Sequence, residues 1–339
     1  MQGRSTDLMT RTLILGGTGW LGRELAAQFV HRGDEVTCLA RGESGTVPDG
    51  ARLETADRTR DDAYSTVLGQ AWDEVVELSY ERPLIRGALD ALADVAVHWT
   101  LVSTVSVYAT NDVVGADETA TTLQPVDLGQ YGQAKVDAER LSASALGDRL
   151  LIARPGLIVG PGDPSDRFGY WIGRLALAAA GSVLVPEPDG RWAQTIDVRD
   201  LAAWIVIASG KGLVGTVNAV GPQYPLSELF AAATDVAGFT GELEPASDSW
   251  LAEHSVANWA GPRSLPLWLG EEAPGFFRRS DIAFRERGGT TRPLHETLRD
   301  VLADERQRGL ARDRHAGLTR ADELTLLDAL ENLQTAATV

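Results

Sequence analysis

Leu13-Ile14-Leu15 runs directly into Gly16-Gly17-Thr18-Gly19-Trp20-Leu21-Gly22, an apolar strand that breaks into a glycine-rich turn and resumes as a helix. That succession leaves few folds open. Gly16 permits the tight turn, Gly19 lets the backbone approach a pyrophosphate, and Gly22 lets the helix pack closely on the loop. The helix start adds unpaired N–H groups and the positive end of its dipole, which together attract an anion. Glycine spacing alone is a weak signal. Its place between a buried strand and a helix whose Leu21, Leu25 and Phe29 share one face makes it specific, although a glycine-rich turn without a ligand competes with it. The loop predicts a dinucleotide crevice built on Gly16, Thr18, Gly19, Trp20, Leu21 and Gly22.

The next stretch alternates β-rich and helical runs, as expected of a parallel sheet covered by helices on both faces. Strands are predicted at Thr12–Leu15, Glu35–Leu39, Arg52–Thr55, Glu74–Leu78, Trp99–Ser103 and Leu150–Ala153, and helices at Gly19–His31 and Leu128–Ala145. The fold class is therefore α/β: a Rossmann-type doubly wound parallel sheet over residues 11–160, with later strands near 193–198 and 214–220 as candidates to complete it. Residues 161–339 read as a smaller α+β substrate-binding region ending in polar helices, and residues 1–10 as a flexible N-terminal extension.

Composition excludes several classes of function. No apolar stretch approaches the ~20 residues that cross a bilayer, so no membrane partner is expected and the cytoplasm is the default location. A single cysteine, Cys38, rules out an intramolecular disulfide and agrees with a reducing compartment. The formal net charge of -17 argues against nucleic acid as a partner. An anionic substrate would need arginines placed locally. His31, His98, His254, His295 and His315 lack paired metal-ligand spacing, and no metal is expected.

The second predicted strand ends in Leu39-Ala40-Arg41-Gly42. An acidic residue there would bind a ribose diol, whereas Arg41 offers a cation and a fork of donors suited to a 2′-phosphate. NADP(H) is the expected cofactor, the competing reading being a solvated surface arginine. Asp57 and Arg58 follow the third strand, where Asp57 either faces the adenine or caps the following helix. Leu78 and Ser79, at the end of the fourth strand, border the same crevice.

Tyr131-Gly132-Gln133-Ala134-Lys135 places a phenol and an amine on one face of a helix. Lys135 is one of only two lysines, Lys211 being the other, in a chain that otherwise uses arginine for positive charge. A tyrosine with a pKa of about 10 is a poor base near neutrality, and a neighbouring ammonium lowers that value. The spacing is common by chance. Its weight comes from Leu101-Val102-Ser103-Thr104-Val105-Ser106, the end of a buried strand that would carry Ser103 and Thr104 hydroxyls to the crevice. Turn or capping chemistry is the alternative for both.

Together with Ala153-Arg154-Pro155-Gly156, these segments resemble the extended or atypical short-chain dehydrogenase/reductase superfamily over about the first 160 residues. Gln194–Leu201 and Thr216–Gly221 extend the resemblance to roughly residue 225. It implies Tyr131 as general acid/base, Lys135 as ribose anchor and modulator, and Thr104 as the hydroxyl orienting the reacting oxygen. Pro155, Gly156, Leu157 and Ile158 would border the nicotinamide, with Ser106, Tyr170, Trp171, Trp192 and Arg199 toward the substrate. Val105 and Ser106 stand where the superfamily's dehydratases carry acidic residues, which argues against dehydration. The Arg154-Pro155-Gly156 segment also differs from that typical of sugar-nucleotide epimerases.

The sequence therefore predicts an NADP(H)-dependent oxidoreductase acting on a small-molecule carbonyl or alcohol. Alternatives are a nucleotide-sugar epimerase with a retained cofactor, its diphosphate clamped by Arg199, Arg263, Arg278 and Arg279, and a non-catalytic NADP-binding or sensing protein. Superfamily analogy makes a homodimer the expected assembly.

Overall fold

The computed structural model describes residues 9–270 and 273–338, so most of the predicted N-terminal extension lies outside the described residues. Six strands, β1 (Arg11–Leu15), β2 (Glu35–Ala40), β3 (Ala51–Thr55), β4 (Trp72–Glu77), β5 (Ala96–Val102) and β6 (Leu150–Ala153), join a later strand, Gly215–Val217. They form one parallel sheet in the order Gly215–Val217, β6, β5, β4, β1, β2, β3. The order turns back at β1, which pairs with β2 on one side and β4 on the other. A crevice opens at that reversal, at the carboxyl ends of the strands. The predicted strands all form; the largest difference is at β5, which begins at Ala96 rather than Trp99.

Of the two later segments considered for this sheet, only the second joins it. Trp192–Asp197 pairs instead with β7 (Leu157–Val159) and antiparallel with Gln223–Pro225 in a separate three-stranded sheet. Pro155, directly after β6, lacks an N–H and ends the ladder, so the chain restarts as β7 in the second layer.

Five helices frame the crevice: α1 (Trp20–Arg32), α2 (Arg82–Leu92), α3 (Tyr131–Leu146), α4 (Arg167–Ala178) and α5 (Val198–Gly210). Successive strand side chains point to opposite faces. Ile14, Cys38 and Val76 pack under Leu25, Phe29, Leu201 and Trp204 from α1 and α5. Leu13, Leu15, Val75 and Leu101 meet Ile85, Leu89 and Leu146 from α2 and α3 on the other face. Each such side chain contributes roughly 1.5–3 kcal/mol by leaving water. Cys38 belongs to this packing: burial pushes its thiol up to about 12, so it is an unreactive apolar side chain. Among the described residues no helix is long and apolar enough to cross a membrane, and no group of three or more His, Cys, Asp or Glu side chains is placed to hold a metal ion.

A buried polar chain ties α3 to the sheet. Arg154, just past β6, donates to both oxygens of Glu139 on α3 at 2.9 and 2.7 Å. Ser103 donates to the same carboxylate, while the Tyr108 hydroxyl accepts from Arg154 and donates to Asn218. All five residues are buried. Removing one partner strands the other charge, so Glu139→Ala should lower the unfolding free energy by about 3–5 kcal/mol in urea titrations. Replacing both partners with apolar residues should recover much of that loss. A single-variant loss under about 1 kcal/mol, the range of exposed pairs, would show the pair to be dispensable.

Candidate active site

The glycine turn is built by close contacts. Gly16 sits at φ +100°, outside the region open to other residues, and a Cβ on Gly22 would lie 2.4 Å from the Gly16 carbonyl oxygen. Helix α1 starts after Gly19 without a side-chain cap, leaving its first-turn N–H groups to an outside acceptor. On one side of this turn lies a cavity of about 450 Å³ lined by Gly16, Thr18, Gly19, Arg41, Asp57, Arg58 and Ser79. On the other lies one of about 430 Å³ lined by Trp20, Leu21, Leu78, Ser103, Thr104, Ser106, Tyr131 and Pro155 to Ile158. Two cavities joined by an anion-ready turn fit the two halves of a dinucleotide.

Within the first cavity the candidate residues divide. Arg41 is exposed and pairs with Glu43 at 3.2 Å, an ion pair open to water. Asp57 accepts from the Thr59 N–H and hydroxyl, and these bonds hold its carboxyl below the usual range. No helix follows Asp57, so it caps none; its carboxyl holds a turn instead. Arg58 is consumed structurally: it pairs with Glu77 and donates to Ser79, Tyr64 and the Leu84 carbonyl. Its donors lock the ends of β3 and β4 together, so it shapes the wall with no hydrogen left for a ligand.

In the second cavity Tyr131 stands at the lip, 47% exposed, its ring edge-on to Tyr80 at 5.2 Å. Burial on its protein side raises the phenol above its ordinary value, against the lowering expected from the sequence, and the nearby Thr104 hydroxyl and the charge of Arg167 only partly offset it. Thr104 also accepts from the Ser106 N–H and donates to the Ser106 hydroxyl. It therefore caps the short turn Val105–Val107 and faces the phenol at once.

Lys135 departs from expectation. Its amine is buried, donating to the Val102 carbonyl at 2.6 Å and the Ser79 carbonyl at 3.4 Å. Loss of hydration lowers it to about 8 against the pull of Glu77, Glu81 and Glu139. It is not among the groups acting on the Tyr131 phenol, where the cation is Arg167. The reason is geometric: the β4 and β5 carbonyls hold the ammonium on the cofactor side of the helix.

Four further candidates lie elsewhere. Tyr170 and Trp171 are buried in the second region's core with Phe230, and the Trp171 indole donates to the Pro266 carbonyl. The apolar face of α4 that carries them is the face covered by other helices, so neither reaches the cavity. Trp192 lies under the Arg278 guanidinium and lines a separate cavity with Leu267 and Phe277. Arg199 is held by Asp197 and Asp300 at 2.8 and 2.6 Å. Ser103 is on the lining, but its hydroxyl belongs to Glu139.

Arg167, Trp259, Phe276 and Asp163 line the second cavity without having been anticipated. Asp163-Pro164-Ser165-Asp166-Arg167, a polar turn directly after the last crevice strand, was the available signal. Nothing in the local pattern around Trp259 or Phe276 separates them from core aromatics.

Fold and site together define a member of the extended short-chain dehydrogenase/reductase superfamily. Residues 12–221 match the model of the NAD dependent epimerase/dehydratase family, and the chain belongs to that family. No curated protein matches it. Similar solved structures include UDP-glucose 4-epimerase from Thermus thermophilus with NAD (TM-score 0.63, 19% identity, covering 88% of this chain and 99% of that one). Pseudomonas aeruginosa RMD with NADPH gives a TM-score of 0.63 at 17% identity, covering 89% and 100%. Bordetella bronchiseptica WbmH with NAD+ gives 0.67 at 17% identity, covering 89% and 99%. At these identities the likeness is one of fold.

Arg167 shares the cavity lining with the phenol, whereas the Lys135 amine is turned to the Val102 and Ser79 carbonyls, so Arg167→Gln should raise the Tyr131 pKa and Lys135→Ala should move it less. Ultraviolet titration of each variant against the same variant carrying Tyr131→Phe reads this directly. A larger upward shift in Lys135→Ala would reverse the assignment.

Proposed function

We propose that the protein is an NADP(H)-dependent oxidoreductase that interconverts a small-molecule carbonyl and its alcohol. The observation that carries this reading is the convergence of the Tyr131 phenol and the Thr104 hydroxyl in a cavity beside the glycine turn. The residues fit a nicotinamide dinucleotide: the uncapped start of α1 for the pyrophosphate, Arg41 for a 2′-phosphate, Lys135 for the ribose, and Pro155 to Ile158 for the ring. When bound, the cofactor supplies or accepts hydride at its nicotinamide C4.

In the reducing direction Thr104 hydrogen-bonds the substrate oxygen and Tyr131 Oη delivers the proton to it. In the oxidising direction the same phenol oxygen takes the proton back. Apolar walls from Leu21, Leu78, Leu157 and Ile158 keep bulk water from the reacting carbon.

Kinship favours a second reading, an epimerase with retained cofactor, since the family and several neighbours carry that activity in their names. Against it stand the arginines that a diphosphate would need. Arg199 and Arg263 are paired with carboxylates, Arg279 is buried over Tyr108, and Arg278 covers Trp192. Tightly copurifying dinucleotide without net NADPH consumption would favour the epimerase.

Two variants test the lead reading. Tyr131→Phe should reduce turnover by about 10²–10⁴-fold, the range of acid–base catalysis, while NADP(H) affinity is kept. Arg41→Asp should weaken NADPH much more than NADH in fluorescence titrations; equal loss for both would remove the cofactor preference.

A further inference from the structure

The cavity in front of Tyr131 carries one permanent cation on its lining, and among the described residues no carboxylate lies within ion-pair distance of it. Among the described residues, Arg167 is the only lysine or arginine on the lining. Its Nε donates to the Ser165 hydroxyl at 3.2 Å, and its guanidinium carbon lies 4.6 Å from the centre of the Trp259 ring. Among the described residues it forms no ion pair. Arg58, Arg154, Arg199, Arg263 and Arg292 are each paired with a carboxylate. Among the described residues Arg23, Arg149, Arg279 and Arg287 also lack an ion pair, but each donates to a backbone carbonyl, and none of them lines this cavity.

The one acidic residue on the same wall does not neutralise it. Asp163 spends its carboxylate oxygens on the Ser165 N–H and hydroxyl. Burial also pushes its carboxyl up, toward the neutral form. Ser165 therefore bridges the two side chains, accepting from Arg167 and donating to Asp163. Stacking on Trp259 fixes the plane of the guanidinium, which presents a planar fork of donors suited to a carboxylate.

We propose that Arg167 is the carboxylate anchor of the substrate cavity, so that the molecule reduced or oxidised here is a small keto or hydroxy acid. The identity of the substrate class rests on the oxidoreductase reading above; the anion site itself does not. A single guanidinium matches one carboxylate, whereas a nucleotide diphosphate brings more charge than this wall can balance. The aromatic and apolar lining from Trp20, Phe276 and Leu157 suits the rest of a compact molecule.

The test separates binding from turnover. Calorimetry on the full chain, with and without NADP+, would compare phenylacetate with phenylacetamide, which differ in charge and little in shape. Wild-type protein should bind the acid about tenfold tighter or more. Arg167→Gln should abolish that preference. Arg167→Lys should restore part of it, since a lysine keeps the charge and loses the fork; it also carries the comparison if thermal melts show Arg167→Gln unfolded. Equal binding of acid and amide by the wild type, or an unchanged preference in Arg167→Gln, overturns the proposal. NADPH oxidation with phenylglyoxylate and its methyl ester is read in parallel. Preference for the ester overturns the substrate class, and reduction of neither compound alongside an intact Arg167-dependent acid preference removes the hydride-transfer reading while the anchor stands.

Discussion

The pair formed by Glu139 and Arg154 is the constraint on which the geometry of the site depends. Glu139 lies one helical turn beyond Lys135 on α3, and Arg154 begins the Pro-Gly turn that carries the chain out of the central sheet. With both charges buried, neither partner can move without stranding the other. Helix α3 is thereby fixed against the ends of β5 and β6, and Tyr131 and Lys135 inherit their positions from that attachment. Ser103 and Tyr108 complete the chain of bonds, which explains why a serine at the end of a buried strand serves the scaffold rather than a ligand.

Near the Tyr131 phenol, two cations are held in different ways. The buried amine of Lys135 is held by backbone carbonyls from the ends of β4 and β5, where the cofactor crevice passes. The guanidinium of Arg167 faces the phenol from the second region. Such a division leaves the phenol's ionisation sensitive to whatever neutralises Arg167. An anion bound there would offset the charge that favours phenolate, so that Tyr131 would hold its proton more tightly.

Much of the central sheet was legible because its determinants are local. Short apolar runs buried on both faces, the glycine turn and the amphipathic helix after it each carry their own signal, and the phenol and amine are spaced by one helical turn. What the sequence hid is set by partners far along the chain. Trp192–Asp197 resembles a central strand in composition, yet Pro155 had already diverted the preceding strand into another layer. Tyr170 and Trp171 stand beside a cavity-lining arginine in sequence but point into the core, because the face of α4 they occupy is covered by other helices. Arg58 and Arg199 looked available as single residues; only the placement of Glu77, Asp197 and Asp300 shows them taken.

Asp166, immediately before Arg167, adopts a left-handed backbone conformation at φ 60°, uncommon outside glycine. It is held there by Arg308, Arg312 and the His315 N–H, the first of these 142 positions further along the chain. The strands that line the dinucleotide crevice are complete by Val217, whereas the start of α4 awaits a clamp made near the carboxyl terminus. During synthesis, which delivers the amino-terminal part first, the crevice can therefore close before the substrate wall acquires its shape. The shape of that wall is therefore set by residues near the carboxyl end of the chain, far in sequence from the glycine turn at the other side of the crevice.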